Sequence, residues 1–353
     1  MGALPEWARA HSPVVAHGRL RASPEDFQVE EVLGFEADGA GEHLLVKVEK
    51  RSANTLWVAR ELARYAGIPP RDVSFAGIKD RHAVAIQHFS LWLGKHPEPD
   101  WQALANPEFR VLSAARHGRK LRTGALQGNR FELVLRELSA PPDELEPRLR
   151  IIREQGVPNY FGPQRFGRDG ANIGAAEKMF MDPRSVRDRK LRGLLLSAAR
   201  SLIFNAVLSR RVAEATWNTI LPGEVCMLDG SHSIFQAACV DEALRARCAS
   251  GDLHPTGPLW GRGESRVSGQ VQVLETGIAT EYAGLAHGLG AAGLEAARRS
   301  LRLPLHDLSW QSLDGDTLKL GFSLPAGAYA TSVVRELIDT HDANQGDGNA
   351  DEN

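Results

Sequence analysis

Lys79, Asp80, Arg81 and His82 stand together where an apolar, strand-like run ends in Gly77-Ile78, and a second run, Ala83 to Leu93, follows at once. The arrangement puts one carboxylate, Asp80, on a short turn between two predicted strands, with a cation on either side. A flanking cation favours the ionised carboxylate, and a turn anchored at a sheet edge can hold it towards a substrate. Such a group can serve as a nucleophile or a general base. The same residues would also make an ordinary solvated hairpin turn with a local ion pair. The rest of the chain has to decide between the two.

Other candidate constellations fall away on spacing. Gly288-Leu289-Gly290-Ala291-Ala292-Gly293 matches a dinucleotide fingerprint, but no strand precedes it, and helix junctions explain the glycines better. Gly162 to Gly167 has the first spacing of a phosphate loop, yet Arg168-Asp169 replaces the required Lys-Ser/Thr, so no nucleotide cofactor is expected. Glu25 and Asp26 would face opposite ways on a strand, which argues against an acid/base pair. Ser74 and Ser90 lie near His82 and His88 in sequence, but neither serine has the glycine flanks of a nucleophile elbow. The three cysteines, Cys226, Cys239 and Cys248, form no CxxC pair; neither a metal site nor a disulfide framework is expected, and a reducing cytoplasm suits them.

Charge is uneven along the 353 residues. The chain carries 42 Lys and Arg against 44 Asp and Glu, but Arg110 to Arg211 alone holds 21 against 10. A basic block inside an acidic chain fits a face for a polyanion, with the remainder limiting indiscriminate binding. Arg116, Arg119, Lys120 and Arg122 form one cluster; Arg184, Arg187, Arg189, Lys190 and Arg192 form another. No membrane partner is expected, since Leu194 to Leu208 is interrupted by Ser197, Arg200, Ser201 and Asn205.

The elements that must hold Asp80 follow from periodicity. Phe27 to Val32, Glu42 to Val48 and Arg130 to Leu135 alternate as strands, and Asn54-Thr55 caps a helix that runs to Tyr65. A helix from Pro142 to about Gln155 precedes a Gly-, Arg- and aromatic-rich stretch, Asn159 to Arg168. A long helix is expected over Leu191 to about Ala215, another over Leu285 to Ala297, then a strand over Thr317 to Leu324 and a helix over Tyr329 to Asp339. The tail from residue 341 is acidic and expected to be disordered. Mixed strands and helices give an α+β fold class.

Several blocks in order resemble the tRNA pseudouridine synthase D (TruD) family. They include Arg21-Ala22-Ser23-Pro24-Glu25-Asp26-Phe27, Gly41-Glu42-His43-Leu44, Asn54-Thr55-Leu56, Phe75-Ala76-Gly77-Ile78-Lys79-Asp80-Arg81-His82 and Leu126-Gln127-Gly128-Asn129-Arg130-Phe131. Val157 to Gly167, Leu196 to Ser201 and Leu324 to Ser332 complete the set. The resemblance implies an enzyme that converts uridine 13 in the D arm of tRNA to pseudouridine without cofactor or metal. It also implies a catalytic domain of mixed or antiparallel sheet and helices from residues 1–155 and 305–340, with a family-specific α/β domain inserted at 156–304. The family's catalytic aspartate falls on Asp80, and its substrate-contacting positions on Phe27, Asn129 and Tyr329. Arg21, Lys79, Arg81 and Phe131 are supporting candidates. Arg21 stands where Lys is common, and Tyr329 where Phe is usual.

The chemistry suits a lone carboxylate. The N1–C1′ bond breaks, the uracil turns, and C5 bonds to C1′ while the C5 proton leaves and N1 gains one. Nothing external is consumed. Asp80 could attack C1′ or remove the 2′-proton, and the residues leave both open. A uridine in folded RNA must be extruded first; Phe27 and Tyr329 suit stacking on it, and Asn129 can donate or accept at its edge. A monomer acting on tRNA is expected. The alternatives are a silent RNA-binding protein using the same residues and an N-glycosidase that releases the base.

Overall fold

The computed structural model describes residues 4–94, 96–237 and 239–342. The chain forms two compact units. One, the sheet unit, contains Val15–Glu146, His306–Gly327 and the chain from Ile338 on; the other, the helical unit, contains Pro147–Leu305, Ala328–Leu337 and the residues up to Val14.

In the sheet unit the alternating segments become β1 (His17–Leu20), β2 (Phe27–Val32), β3 (His43–Arg51), β4 (Val73–Phe75), β5 (Val84–Trp92), β6 (Phe109–His117) and β7 (Gly128–Arg136). They share one mixed sheet with the later strands Ser309–Ser312, Leu318–Pro325 and Asp339–Asp342. β7 lies antiparallel to β2 on one side and to Leu318–Pro325 on the other, while β2 and β5 run parallel. Helix α1 (Thr55–Tyr65) starts where Asn54 accepts from the amides of Leu56 and Trp57. It buries Val58 and Leu62 against Leu44, Val46 and Val48 of β3 and Phe89 and Leu91 of β5. That apolar layer is the support for everything the sheet carries.

The helical unit is built around the helix Arg189–Ala213, whose Leu195, Ala198, Ala199, Leu202, Ile203 and Phe204 are buried in its core. Among the described residues it alone is long and apolar enough to cross a membrane, and it is a core helix. Several expected elements change. The helix expected over Leu285 to Ala297 ends at Ala291, after which Gly293 takes a left-handed φ of 78° and Ala297–Ser300 becomes a strand. Arg298 explains that strand: it pairs with buried Glu275 at 2.7 Å and donates to the Thr256 carbonyl, so tertiary bonds override the local helix preference. Glu275 itself lies on a helix, Gly269–Glu281, that the sequence reading does not anticipate. Gly288 of the dinucleotide-like run is helical, and a Cβ there would meet the Phe180 ring at 2.2 Å, so the glycine serves close packing. Glu25 and Asp26 sit on a 3-10 turn, not a strand; Glu25 pairs with Arg51, whereas buried Asp26 receives both arms of Arg136. The strand Asp339–Asp342 reaches into the segment expected to be a disordered tail, and residues 343–353 lie outside the described residues.

Candidate active site

Asp80 lies in the loop 76–83 joining antiparallel β4 and β5. Three fasteners hold this loop. Gln87 of β5 donates to the Gly77 carbonyl at 3.0 Å, and Thr55 at the start of α1 accepts from the Lys79 amide at 3.1 Å. Thr55 in turn donates to Gln87 at 2.9 Å. The third fastener is Lys50, wholly buried on β3, whose ammonium donates to the Ala53 carbonyl at 2.7 Å and to the carbonyl of Asp80 itself at 2.8 Å. Lys50 is not among the expected site residues, although it continues the inward series Leu44, Val46, Val48.

Burial pulls the Lys50 ammonium from its ordinary 10.5 down to about 8, the Asp80 carboxylate opposing the fall and Lys79 adding to it. Between those two values the unfolded chain holds a proton that the folded chain has released, so this residue adds stability as pH rises through the window. Denaturant unfolding of wild type and Lys50→Met, compared from about pH 7 to 10.5, is expected to show the difference moving in favour of the wild type. A gap that does not change with pH would contradict the buried ammonium.

The Asp80 carboxylate is about half exposed, and Arg21 donates to its Oδ2 at 2.8 Å from a largely buried guanidinium. Arg21 holds a left-handed φ of 60°, uncommon for a residue with a side chain. Its guanidinium lies 4.1 Å from the centroid of the Phe27 ring, a cation–π contact. Phe27 is itself buried, edge-on to Phe131, which stacks on Phe322. Asp80, Arg21, Phe27 and Phe131 thus form one column. Phe27's ring face is occupied by Arg21, so it supports the cation that meets Asp80.

Lys79 corrects an expectation. It does not flank the Asp80 carboxylate but turns inward, with its ammonium 3.1 Å from Glu31 and 2.5 Å from Asn129 Oδ1. Glu31, fully buried and absent from the expected site, also accepts from the His88 amide at 2.8 Å. Burial works to raise its pKa, but the His88 hydrogen bonds and the Lys79 charge outweigh it and hold the carboxyl below its ordinary range. Arg81 is exposed and has no ion-pair partner among the described residues. The turn's cations therefore do not hold Asp80; Arg21, distant in sequence, does.

Tyr329 belongs to the helical unit. Arg165 donates to its hydroxyl at 3.0 Å and to Ser197 at 3.0 Å, while the ring meets Phe161 edge-on. A Cβ on Gly162 would sit 2.9 Å from the Tyr329 ring, so that close approach requires glycine. The hydroxyl that distinguishes Tyr329 from the usual Phe is thus taken up by Arg165.

The family model for tRNA pseudouridine synthase D (TruD) matches residues 11–182 and 177–337. A tRNA pseudouridine synthase D of Methylococcus capsulatus is 48% identical over 331 residues, covering 94% of each chain. One of Nitrosococcus oceani is 50% identical over 333 residues, covering 94% of this chain and 93% of its own. The crystal structure of a Methanosarcina mazei protein assigned as a tRNA pseudouridine synthase D superposes with a TM-score of 0.70 over 95% of this chain and 96% of that one. At 22% identity that likeness speaks for the fold, which is α+β. With a family model across nearly its whole length and relatives of 48% and 50% identity covered over 94% and 93% of their own length, the chain belongs to the tRNA pseudouridine synthase D family.

Proposed function

We propose that this protein isomerises uridine 13 in the D arm of tRNA to pseudouridine, with Asp80 as the nucleophile or base and without cofactor or metal. Membership of the family makes it an isomerase. The observation that supports the role given to Asp80 is its carboxylate, half exposed, met by Arg21 on a loop fastened at Gly77, Lys79 and Asp80; the uridine position and the absence of a cofactor follow from the resemblance. A single pre-positioned carboxylate, opened to solvent on one side, is what a glycosidic bond exchange on one substrate needs. Phe27 supports the charged pair, Asn129 meets the uracil edge, and Tyr329 is carried over from the resemblance as a substrate-contacting residue. In the same reading residues 1–155 and 305–340 form the catalytic domain, residues 156–304 are the family-specific insertion, and the protein works as a cytoplasmic monomer. Tritium release from 5-³H-uridine tRNA by purified protein tests the activity, since only substitution at C5 expels the label. Unchanged uridine or free uracil would indicate the two alternatives.

Arg119, Lys120 and Arg122 are exposed in the loop before β7, and Arg184, Arg187, Arg189 and Lys190 are exposed at the start of the long helix. Phosphate contacts release counterions, so tRNA affinity is expected to fall about a thousandfold or more between roughly 50 and 200 mM salt. Neutralising Arg119, Lys120 and Arg122 together should weaken binding and flatten the logarithmic salt slope by about 2 to 3. Affinity indifferent to ionic strength would refute these clusters as the phosphate grip.

A further inference from the structure

We infer that Glu31 and Lys79 are positioning residues that lock the Asn129 amide with its N–H donors towards the substrate, so that the site recognises a uracil carbonyl and not the uracil N3–H. The inference rests on the reading above, in which Asn129 meets the base, and it narrows what that residue can do there. Three observations carry it. Glu31 and Asn129 are direct cross-strand partners on β2 and β7. Lys79 enters from the Asp80 loop and bridges the two, at 3.1 Å from the Glu31 carboxylate and 2.5 Å from Asn129 Oδ1. All three side chains are shielded from solvent, Glu31 completely.

A lysine ammonium only donates, so the atom of Asn129 that faces it must be the amide oxygen. The buried Glu31 carboxylate, 3.1 Å away, is the charge partner that a shielded ammonium requires. With its oxygen committed, Asn129 has its Nδ2 hydrogens left, and these find no hydrogen-bond partner among the described residues. An asparagine free to flip can accept from N3–H as readily as it donates to O2 or O4; one pinned in this way presents donors. If the carbonyl is O4, the same donors also reject cytosine, whose exocyclic amine would face them; if it is O2, they do not. The loop that carries the carboxylate therefore also sets base recognition one residue earlier.

The test compares wild type, Lys79→Met and Asn129→Asp on tRNA whose target base is uridine, 2-thiouridine or 4-thiouridine, sulfur being a poor acceptor. The wild type is expected to lose roughly tenfold in kcat/KM on one of the two sulfur-substituted tRNAs, and which one identifies the carbonyl. In Lys79→Met that penalty should shrink to about twofold or less, because the amide can turn over, a non-additivity that a merely structural residue would not produce. Asn129→Asp keeps an oxygen for Lys79 to hold and replaces the donors with a second, charged oxygen; it should bind tRNA but fall about a hundredfold in kcat/KM on normal uridine. Equal sulfur sensitivity in wild type and Lys79→Met, or near-wild-type turnover by Asn129→Asp, would overturn the inference. Absence of pseudouridine with wild type and unmodified tRNA would instead refute the proposed function itself.

Discussion

Asp80→Asn protein is expected to bind tRNA with near-wild-type affinity and to release tritium at less than about one-thousandth of the wild-type rate, the scale on which a positioned acid, base or nucleophile acts. The substitution keeps size and shape and removes only the negative charge. The loop does not depend on the lost group, since Lys50 grips the main-chain carbonyl of residue 80 and Gln87 and Thr55 hold its neighbours. Folding should therefore survive, and a melting curve with tRNA affinity confirms it. A substantial remaining rate would remove Asp80 from the chemistry.

Arg21→Met should cost roughly a hundred- to a thousandfold in kcat/KM, the range found when one hydrogen-bond donor is removed from a reacting centre. Methionine can still cover the Phe27 ring, but it cannot meet the carboxylate 2.8 Å from the guanidinium. Arg21→Lys retains a cation of nearly the same reach and should stay within about tenfold, a point donor replacing the guanidinium fork. Wild-type kinetics in Arg21→Met would mean that the residue merely packs on Phe27.

Much of this was legible in the residues. Strands with clean alternation, such as Phe27 to Val32, and the Asn54-capped helix form where local pattern and burial agree. The helix Gly269–Glu281 is not evident in the sequence because Val271, Val273, Ile278 and two threonines, Thr276 and Thr280, suggest extended structure; burial of Val271, Ile278 and Ala279 decides otherwise. The site shows the same limit more sharply. Asp80 stands out on its turn, yet which cation meets it depends on β1, β2 and the loop arriving together. Sequence neighbours suggested Lys79 and Arg81; the fold supplies Arg21 and sends Lys79 to Glu31. Lys50 hid because a lysine in a strand reads as solvent-facing, and only the carbonyls of Ala53 and Asp80 reveal why it points inward.

The ladder on the far side of β7 has a consequence for biosynthesis. Residues 128–135 pair there with 318–325, rung for rung, so the strand bearing Asn129 has an open edge until residues 318–325 have left the ribosome. The helical unit waits as well, for its segment Ala328–Leu337. Neither unit can finish vectorially, and such long-range closure is slow and leaves a strand edge available to other chains. A nascent chain stalled before residue 318 is thus expected to be a client for chaperones that shield exposed strands, and the face bearing Asn129 is complete only once residues 318–325 have been made.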